Sequence, residues 1–338
     1  MSAPIQLPAR VGKYELLEYL GGGMSHVFRA TDTILGRTVA LKILTPQGNK
    51  DPEVRARFLQ EARMASNINH DNIIKVHDFG EEGGRPFMVM EFLRGESLRD
   101  AIRGGRTGDV TDKLNTSLQI ARALEYIQAR KIIHRDIKPE NIHIDPSGKV
   151  KLMDFGIAKS EGLSLTRAGF TLGTPYYMAP EQVMGQPPTG QVDVYAFGVV
   201  MVELLSGSKP IQADTVEKIF QQILYQPLNL EPLEGKGIPP AVLDLIRRCT
   251  AKKPEERMPG FGSVCAELER ILGGAAYGAS SQQQPQHAAA VPARVPSIFA
   301  GLPPRFQSPL WISLISALAV VAALGILLVL GRLLSSAF

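Results

Sequence analysis

"IIHRDIKPENIHID", residues 132–145, sets Asp136, Lys138 and Asn141 within six positions, framed by apolar residues. Charged residues and a proline often mark a solvated turn between strands. An acid, a base and an amide crowded together can also handle a polyanion. The rest of the sequence decides between the two.

With 338 residues the chain is long enough for one to three domains and a large core. Its 44% hydrophobic and 21% charged residues are ordinary for a globular protein. The net charge of +4 reflects 37 basic against 33 acidic residues, without a long run of one sign. No basic stripe interleaved with aromatics occurs, so nucleic acid is not expected as a partner. Two cysteines, Cys249 and Cys265, are too few for a disulfide framework and fit a reducing compartment. Both sit in helical-looking sequence and are expected to be buried. The amino-terminal "MSAPIQLPARVGKYELL" lacks the apolar core of a signal peptide.

At the far end, Leu310 to Gly331 carries no charge and only two serines. Such a helix would be about 33 Å long, enough for a hydrocarbon core of about 30 Å. Trp311 stands where an interfacial aromatic is expected, and Arg332 closes the run. The reading is a membrane helix over 310–331, followed by a short tail, 332–338. Before it, residues 273–309 are rich in Ala, Gln and Pro and read as a flexible linker.

Residues 13–272 are therefore the folded part, after an extension at 1–12. "KYELLEYL", "SHVFRATD" and "TVALKIL" read as strands separated by glycine-containing turns. Asp51 followed by Pro52 predicts a helix start, running through "EVRARFLQEARMASNI". Strands are expected around "IKVHDF" and "PFMVME". Beyond residue 95 the pattern is helical: Leu114, Leu118, Ala121, Leu124 and Ile127 recur at helical spacing. "VYAFGVVMVELL", 194–205, is apolar almost all round, the mark of a central buried helix. A sheet-rich lobe over 13–93 and a helical lobe over 94–272 leave a cleft between them.

Three further stretches bear chemistry. In "LGGGMSHV", consecutive glycines let backbone N–H groups approach phosphate, although a hairpin turn also explains them. In "VALK", Lys42 lies on a strand between apolar neighbours, where an unpaired charge is expensive; Glu61 on the following helix is a partner in reach. In "KLMDFG", Asp154 ends an apolar strand. Together Asp136, Asn141 and Asp154 supply the hard oxygen ligands Mg²⁺ prefers, beside a carboxylate able to act as base. Phosphoryl transfer requires those parts.

The order "GGGMSHV", "VALK", "HRDIKPEN", "DFG", "APE" resembles the eukaryotic-type (Hanks-type) serine/threonine protein kinases, most of all the bacterial membrane-attached ones. The resemblance covers about residues 13–272. It implies an α+β, two-lobed protein-kinase fold: a small antiparallel sheet lobe with one helix, and a larger helical lobe. It also implies ATP and Mg²⁺, with Mn²⁺ as an alternative, and protein substrates with Ser or Thr.

By that resemblance, Lys42 holds the α- and β-phosphates and Glu61 fixes the lysine. Asp136 accepts the proton of the substrate hydroxyl or orients it. Lys138 neutralises the transferring phosphoryl group and points to Ser/Thr rather than Tyr acceptors. Asn141 and Asp154 bind Mg²⁺. The nucleotide site comprises Gly21, Gly22, Gly23, Val27, Ala40, Met90 as gatekeeper, Glu91 and Leu93 as hinge, and His143 under the adenine. Glu181 and Arg257 correspond to a buried ion pair, and Asp193 to the acid supporting the catalytic loop. His134 reads as a packed residue backing Phe155 rather than a proton shuttle.

Two departures stand out. The glycine loop is one residue shorter than the family's usual form, with Ser25 where a third glycine often stands; weaker ATP affinity is expected, relieved by an insertion. His143 replaces the usual aliphatic residue or methionine, so ATP is expected to bind tighter to the neutral imidazole than to the protonated one.

Arg135 resembles the arginine that answers a phosphate on the activation segment, for which Ser164, Thr166 and Thr171 are candidates; Thr174 is expected to contact the catalytic loop. Arg294 and Arg305 against Arg332 give little orientation bias. Because ATP is cytosolic, the resemblance places the kinase domain in the cytoplasm, on a single-pass protein of a bacterial cell membrane. With so short a tail, no outer sensor domain is expected. Ala319 and Ala323 give a small-xxx-small spacing that permits a homodimer. Two rival readings remain: a membrane-tethered pseudokinase scaffold, against which Lys42, Asp136, Asn141 and Asp154 all stand, and a small-molecule kinase, against which Lys138 and "GTPYYMAPE" stand.

Overall fold

The computed structural model describes residues 7–154 and 175–280. Six strands form an antiparallel sheet: β1 (Ala9–Val11), β2 (Tyr14–Gly22), β3 (Ser25–Asp32), β4 (Arg37–Leu44), β5 (Val76–Glu82) and β6 (Arg85–Glu91), in the order β1-β2-β3-β4-β6-β5. Alternation along "TVALKIL" explains the two faces. Val39, Leu41 and Ile43 pack with Tyr14, Leu16, Phe28 and Val89 on one side. Ala40 and Leu44 face the other, with Met88 and Met90. Two helices follow β4 where one was expected: the short α1 (Pro46–Lys50), capped by Thr45, and α2 (Pro52–Ser66), which packs on that second face. As expected, Asp51 caps α2, accepting from the backbone N–H of Glu53 and of Val54. Phe58 and Ala62 lay its apolar stripe on the sheet.

One strand was not anticipated. Residues 9–11 pair with β2, and Val11 is buried in the small-lobe core, so the folded part begins before residue 13.

The large lobe opens with β7 (Glu96–Ser97), α3 (Leu98–Arg103) and α4 (Val110–Gln128). Strands β8 (Ile142–Ile144) and β9 (Val150–Leu152) complete a sheet of order β7-β8-β9. Five helices follow: α5 (Pro180–Val183), α6 (Gln191–Ser206), α7 (Val216–Tyr225), α8 (Pro240–Cys249) and α9 (Phe261–Ser280). Helix α6 is buried from Val192 through Leu205, which its all-round apolar sequence predicts. Helices α4, α8 and α9 surround it in one continuous core. Both cysteines are buried and free, as expected.

Helix α9 continues past Leu272 to Ser280, so the expected linker begins in helix. Among the described residues no helix is long and apolar enough to cross a membrane. The expected span, Leu310–Gly331, lies outside the described residues. So do Phe155, Ser164, Thr166, Thr171 and Thr174.

Candidate active site

The catalytic loop hangs from one carboxylate. Asp193, in the first turn of α6, accepts the backbone N–H of His134 at 2.7 Å and of Arg135 at 2.8 Å. Those bonds hold Arg135 at a φ of +65°, a left-handed conformation uncommon outside glycine. Burial pushes the Asp193 carboxyl up to about 6, against the two N–H groups and the Arg135 guanidinium, which favour the anion. Beside it, His134 is fully buried, with Nε2 at 3.1 Å from the Met153 carbonyl and Nδ1 facing the Asp136 N–H at 3.4 Å. A carbonyl only accepts and an N–H only donates, so a neutral ring with its hydrogen on Nε2 satisfies both. Both nitrogens are engaged, and the ring is a brace rather than a shuttle.

Asp136, Lys138 and Asn141 converge. Asp136 Oδ2 accepts from Lys138 Nζ at 2.8 Å and from Asn141 Nδ2 at 2.9 Å. The same Asn141 nitrogen donates to the Asp136 carbonyl at 2.8 Å. With its amide nitrogen so placed, Asn141 turns Oδ1, a pure acceptor, the other way. The Met153 N–H donates to the Asn141 carbonyl at 2.8 Å, which ties this loop to the strand end carrying Asp154. Asp154 itself has a φ of +44°.

Lys42 faces the cleft from β4. Its Nζ lies 2.9 Å from Glu61 Oε1 on α2 and 3.0 Å from Asp154 Oδ1. The Lys42 and Glu61 side chains are 13% and 14% exposed, whereas Asp154 is 55% exposed and open to the cleft. Burial disfavours the ammonium, but Asp154 and Glu61 outweigh it and raise the Lys42 pKa well above its usual value. Lys42 in turn holds the Asp154 carboxyl below the usual range. Glu61 is pushed up by burial, with Lys42 opposing and Asp154 adding to the rise. The expected lysine–glutamate pair is present, and the structure adds Asp154 to it.

Strand register collects the expected nucleotide residues. Val27 pairs with Lys42, Lys42 with Met88, and Ala40 with Met90, which puts all of them on one face of the sheet. Ala40 and Met90 are buried beside Leu93 and Met153. Glu91 braces the hinge: its Oε1 accepts from the Lys75 N–H at 2.8 Å and from Lys151 Nζ at 2.6 Å, and its own N–H donates to the Lys75 carbonyl. His143 donates from Nε2 to the Arg94 carbonyl at 3.0 Å, so the imidazole is tied to the segment after the hinge. Gly21, Gly22 and Gly23 form the end of β2 and the start of its turn.

Hard oxygen donors at Asn141 and Asp154 fit Mg²⁺, which keeps several waters and takes the rest of its shell from one or two protein groups and substrate phosphates. Among the described residues no group of three His, Cys, Asp or Glu side chains is gathered as a metal cage. A phosphate-borne cation needs none.

Away from the cleft, the expected Glu181–Arg257 pair is bidentate, at 2.6 and 2.7 Å. A second buried network was missed. Arg99 on α3 contacts Glu203 of α6, donates to the Tyr177 hydroxyl at 2.6 Å and reaches Glu140 of the catalytic loop at 2.9 Å. Its sequence signal was the lone acid in "VYAFGVVMVELL": a carboxylate in a helix buried all round requires a buried partner.

Compared with known proteins, residues 14–267 match the protein kinase domain family. PknA, a serine/threonine-protein kinase of Mycobacterium tuberculosis, is 37% identical over 295 residues, covering 85% of this chain and 67% of PknA. PrkC of Bacillus subtilis is 37% identical over 260 residues, covering 76% of this chain and 40% of PrkC. The chain thus spans two-fifths of one relative and two-thirds of the other. Among solved structures, Rad53 1–466 in complex with AMP-PNP superimposes with a TM-score of 0.63 at 26% identity, covering 77% of this chain and 65% of that one.

Proposed function

The chain belongs to the protein kinase family, among its serine/threonine members, and on that premise we propose that it transfers the γ-phosphoryl group of ATP to serine and threonine hydroxyls of proteins. One observation carries the reading: Asp136, Lys138 and Asn141 share a hydrogen-bonded cluster, tied through Met153 to the Lys42–Asp154 pair.

In that cleft the adenine lies between the Val27–Ala40 roof and the His143 side of β8, with the hinge at Glu91 and Leu93. Lys42 uses two of its three N–H donors on carboxylates among the described residues, and the third meets the nucleotide's phosphates. Asp136 takes the hydroxyl proton as the acceptor oxygen attacks the γ-phosphorus; the bond to the ADP oxygen breaks and ADP leaves. Lys138, 2.8 Å from that carboxylate, offsets charge on the transferring group. Asn141 and Asp154 hold Mg²⁺, which neutralises phosphate charge when bound.

Control and placement follow the same reading. The Arg135 guanidinium has no hydrogen-bonded or ion-paired partner among the described residues and stands beside the catalytic loop. A phosphate on Ser164, Thr166 or Thr171 would supply about −1.5 to −2 charge to such a group. The apolar 310–331 segment anchors the protein in a membrane with the kinase domain on the ATP side, and Ala319 and Ala323 offer a face for self-association.

The test is an assay of the full chain with γ-labelled ATP, Mg²⁺ and a generic protein acceptor, beside Asp136→Asn. We expect label on serine and threonine of the acceptor and of the activation segment, falling about 100- to 10,000-fold in the variant. Transfer that survives the substitution, or label that appears on nucleotide or small molecules alone, refutes the proposal.

A further inference from the structure

The turn between β2 and β3 does not hang free over the cleft. The Met24 carbonyl, at its tip, accepts two hydrogen bonds from Thr45: one from the backbone N–H at 3.0 Å and one from Oγ1 at 3.1 Å. Thr45 is 5% exposed, and the same Oγ1 accepts the Gly48 N–H at 2.9 Å, capping α1. The β3–β4 ladder, which runs from Asp32–Arg37 to Ser25–Leu44, thereby gains one further rung at Met24–Thr45. The tip is held in line with the sheet.

Two glycines make this close approach possible. A Cβ on Gly48 would lie 2.3 Å from the Met24 oxygen, and one on Gly22, at a φ of +138°, would lie 1.9 Å from the Ser25 carbonyl oxygen. The Tyr19 hydroxyl adds a long contact, donating to the Gly22 carbonyl at 3.4 Å. The Met24 side chain is 47% exposed, so the tie is made by its backbone carbonyl alone.

Position along the strands says which part of a nucleotide the tip serves. Ala40 and Met90 pair at the adenine end, and Lys42 pairs with Val27 further along β3 and β4. The Met24–Thr45 rung lies beyond Lys42, at the phosphate end. From this we propose that Thr45 is a positioning residue for ATP: it latches the short glycine turn in place, so that the turn's N–H groups are ordered before the phosphates arrive. The inference rests on the kinase reading. Ordering the turn in advance removes the cost of ordering from the binding free energy, which offsets part of the weaker affinity expected of a shortened loop.

The test uses the full chain and two ligands. Thr45→Val removes the hydroxyl bond to Met24; Thr45→Ser keeps it. Gly48→Ala leaves Thr45 intact, favours helix α1, and displaces the Met24 carbonyl from the other side. For Thr45→Val and Gly48→Ala we expect KM for ATP to rise about 3- to 10-fold, the worth of one neutral hydrogen bond, with kcat within about 2-fold. Adenosine, which has no phosphate, should bind both variants as it binds the wild type, and Thr45→Ser should restore the ATP value. Unchanged or lower KM in both variants overturns the latch. An equal loss of adenosine affinity also overturns it, because the residue would then serve only the lobe's packing. A wild type that binds adenosine but not ATP would sink the kinase reading itself, and the latch with it.

Discussion

Two acid–base pairs, one in each lobe, use the same kinds of charge to opposite ends. Arg257 directs all five N–H donors to fixed acceptors: both Glu181 oxygens and the carbonyls of Ala251, Gln191 and Lys252. Its side chain is fully buried, and no donor is left for a ligand. Lys42 is a point charge with two carboxylate partners, one of them on the open side of the cleft. A planar fork suits a permanent joint, whereas an ammonium exchanges partners easily. The lesson is that completeness of satisfaction, more than charge, separates the brace from the working group.

Substituting each cation for methionine tests that contrast most severely. Arg257→Met leaves Glu181 buried without its partner, at a cost of about 3–5 kcal/mol, or roughly 6–20 °C in Tm for a domain of this size. Lys42→Met should leave Tm within a few degrees, because Glu61, already held above the usual carboxylate range by burial, takes up a proton. Its turnover should instead fall about 100- to 1000-fold. Calorimetry beside the labelled-ATP assay reads both numbers. If the two variants lost stability alike, the contrast would collapse.

Asp193 sharpens the comparison, being a buried carboxylate bound to two N–H groups but to no fully engaged cation. Its pKa is raised from 3.8 to about 6, so between those values the folded chain holds a proton the unfolded chain has released. Stability from this group is therefore largest below the lower value and declines as pH rises toward about 6. Asp193→Asn lacks that decline. The difference between wild-type and variant unfolding free energies should change by an amount on the order of 1–3 kcal/mol across the window and stay flat above it. A pH-independent difference would mean that the two N–H groups and Arg135 offset the burial of the anion in full.

The smallest effect belongs to His143. It donates to the Arg94 carbonyl and lies near the acid Glu96, which is also bound to Arg106. Losing the ring in His143→Leu should change KM for ATP by no more than a few-fold, read in the labelled-ATP assay. An unchanged KM would remove the histidine from the adenine site.

Legibility in the sequence followed the range of each signal. Lys42, Asp136, Asn141 and Asp154 sit in short motifs with local chemistry, and the structure brings all four together. The Asp51 cap and the apolar α6 were readable from adjacent residues. The Met24–Thr45 tie was not, because it depends on the register of two strands and on a glycine three residues past the threonine. Residues 9–11 were passed over since three residues show no period. Arg99 looked like any helix-surface arginine; only its distant partner Glu203 betrayed it.

That partner has a wider consequence. Asp193 and Glu203 stand near opposite ends of α6, about 15 Å apart along a rod that water does not reach. One end sets the backbone of His134 and Arg135, and the other, through Arg99 and Tyr177, sets the wall beside Glu140. The catalytic loop and the wall beside Glu140 are set from a single baseline, so a chimera that exchanged one of them for a relative's would keep its alignment only by importing the whole rod.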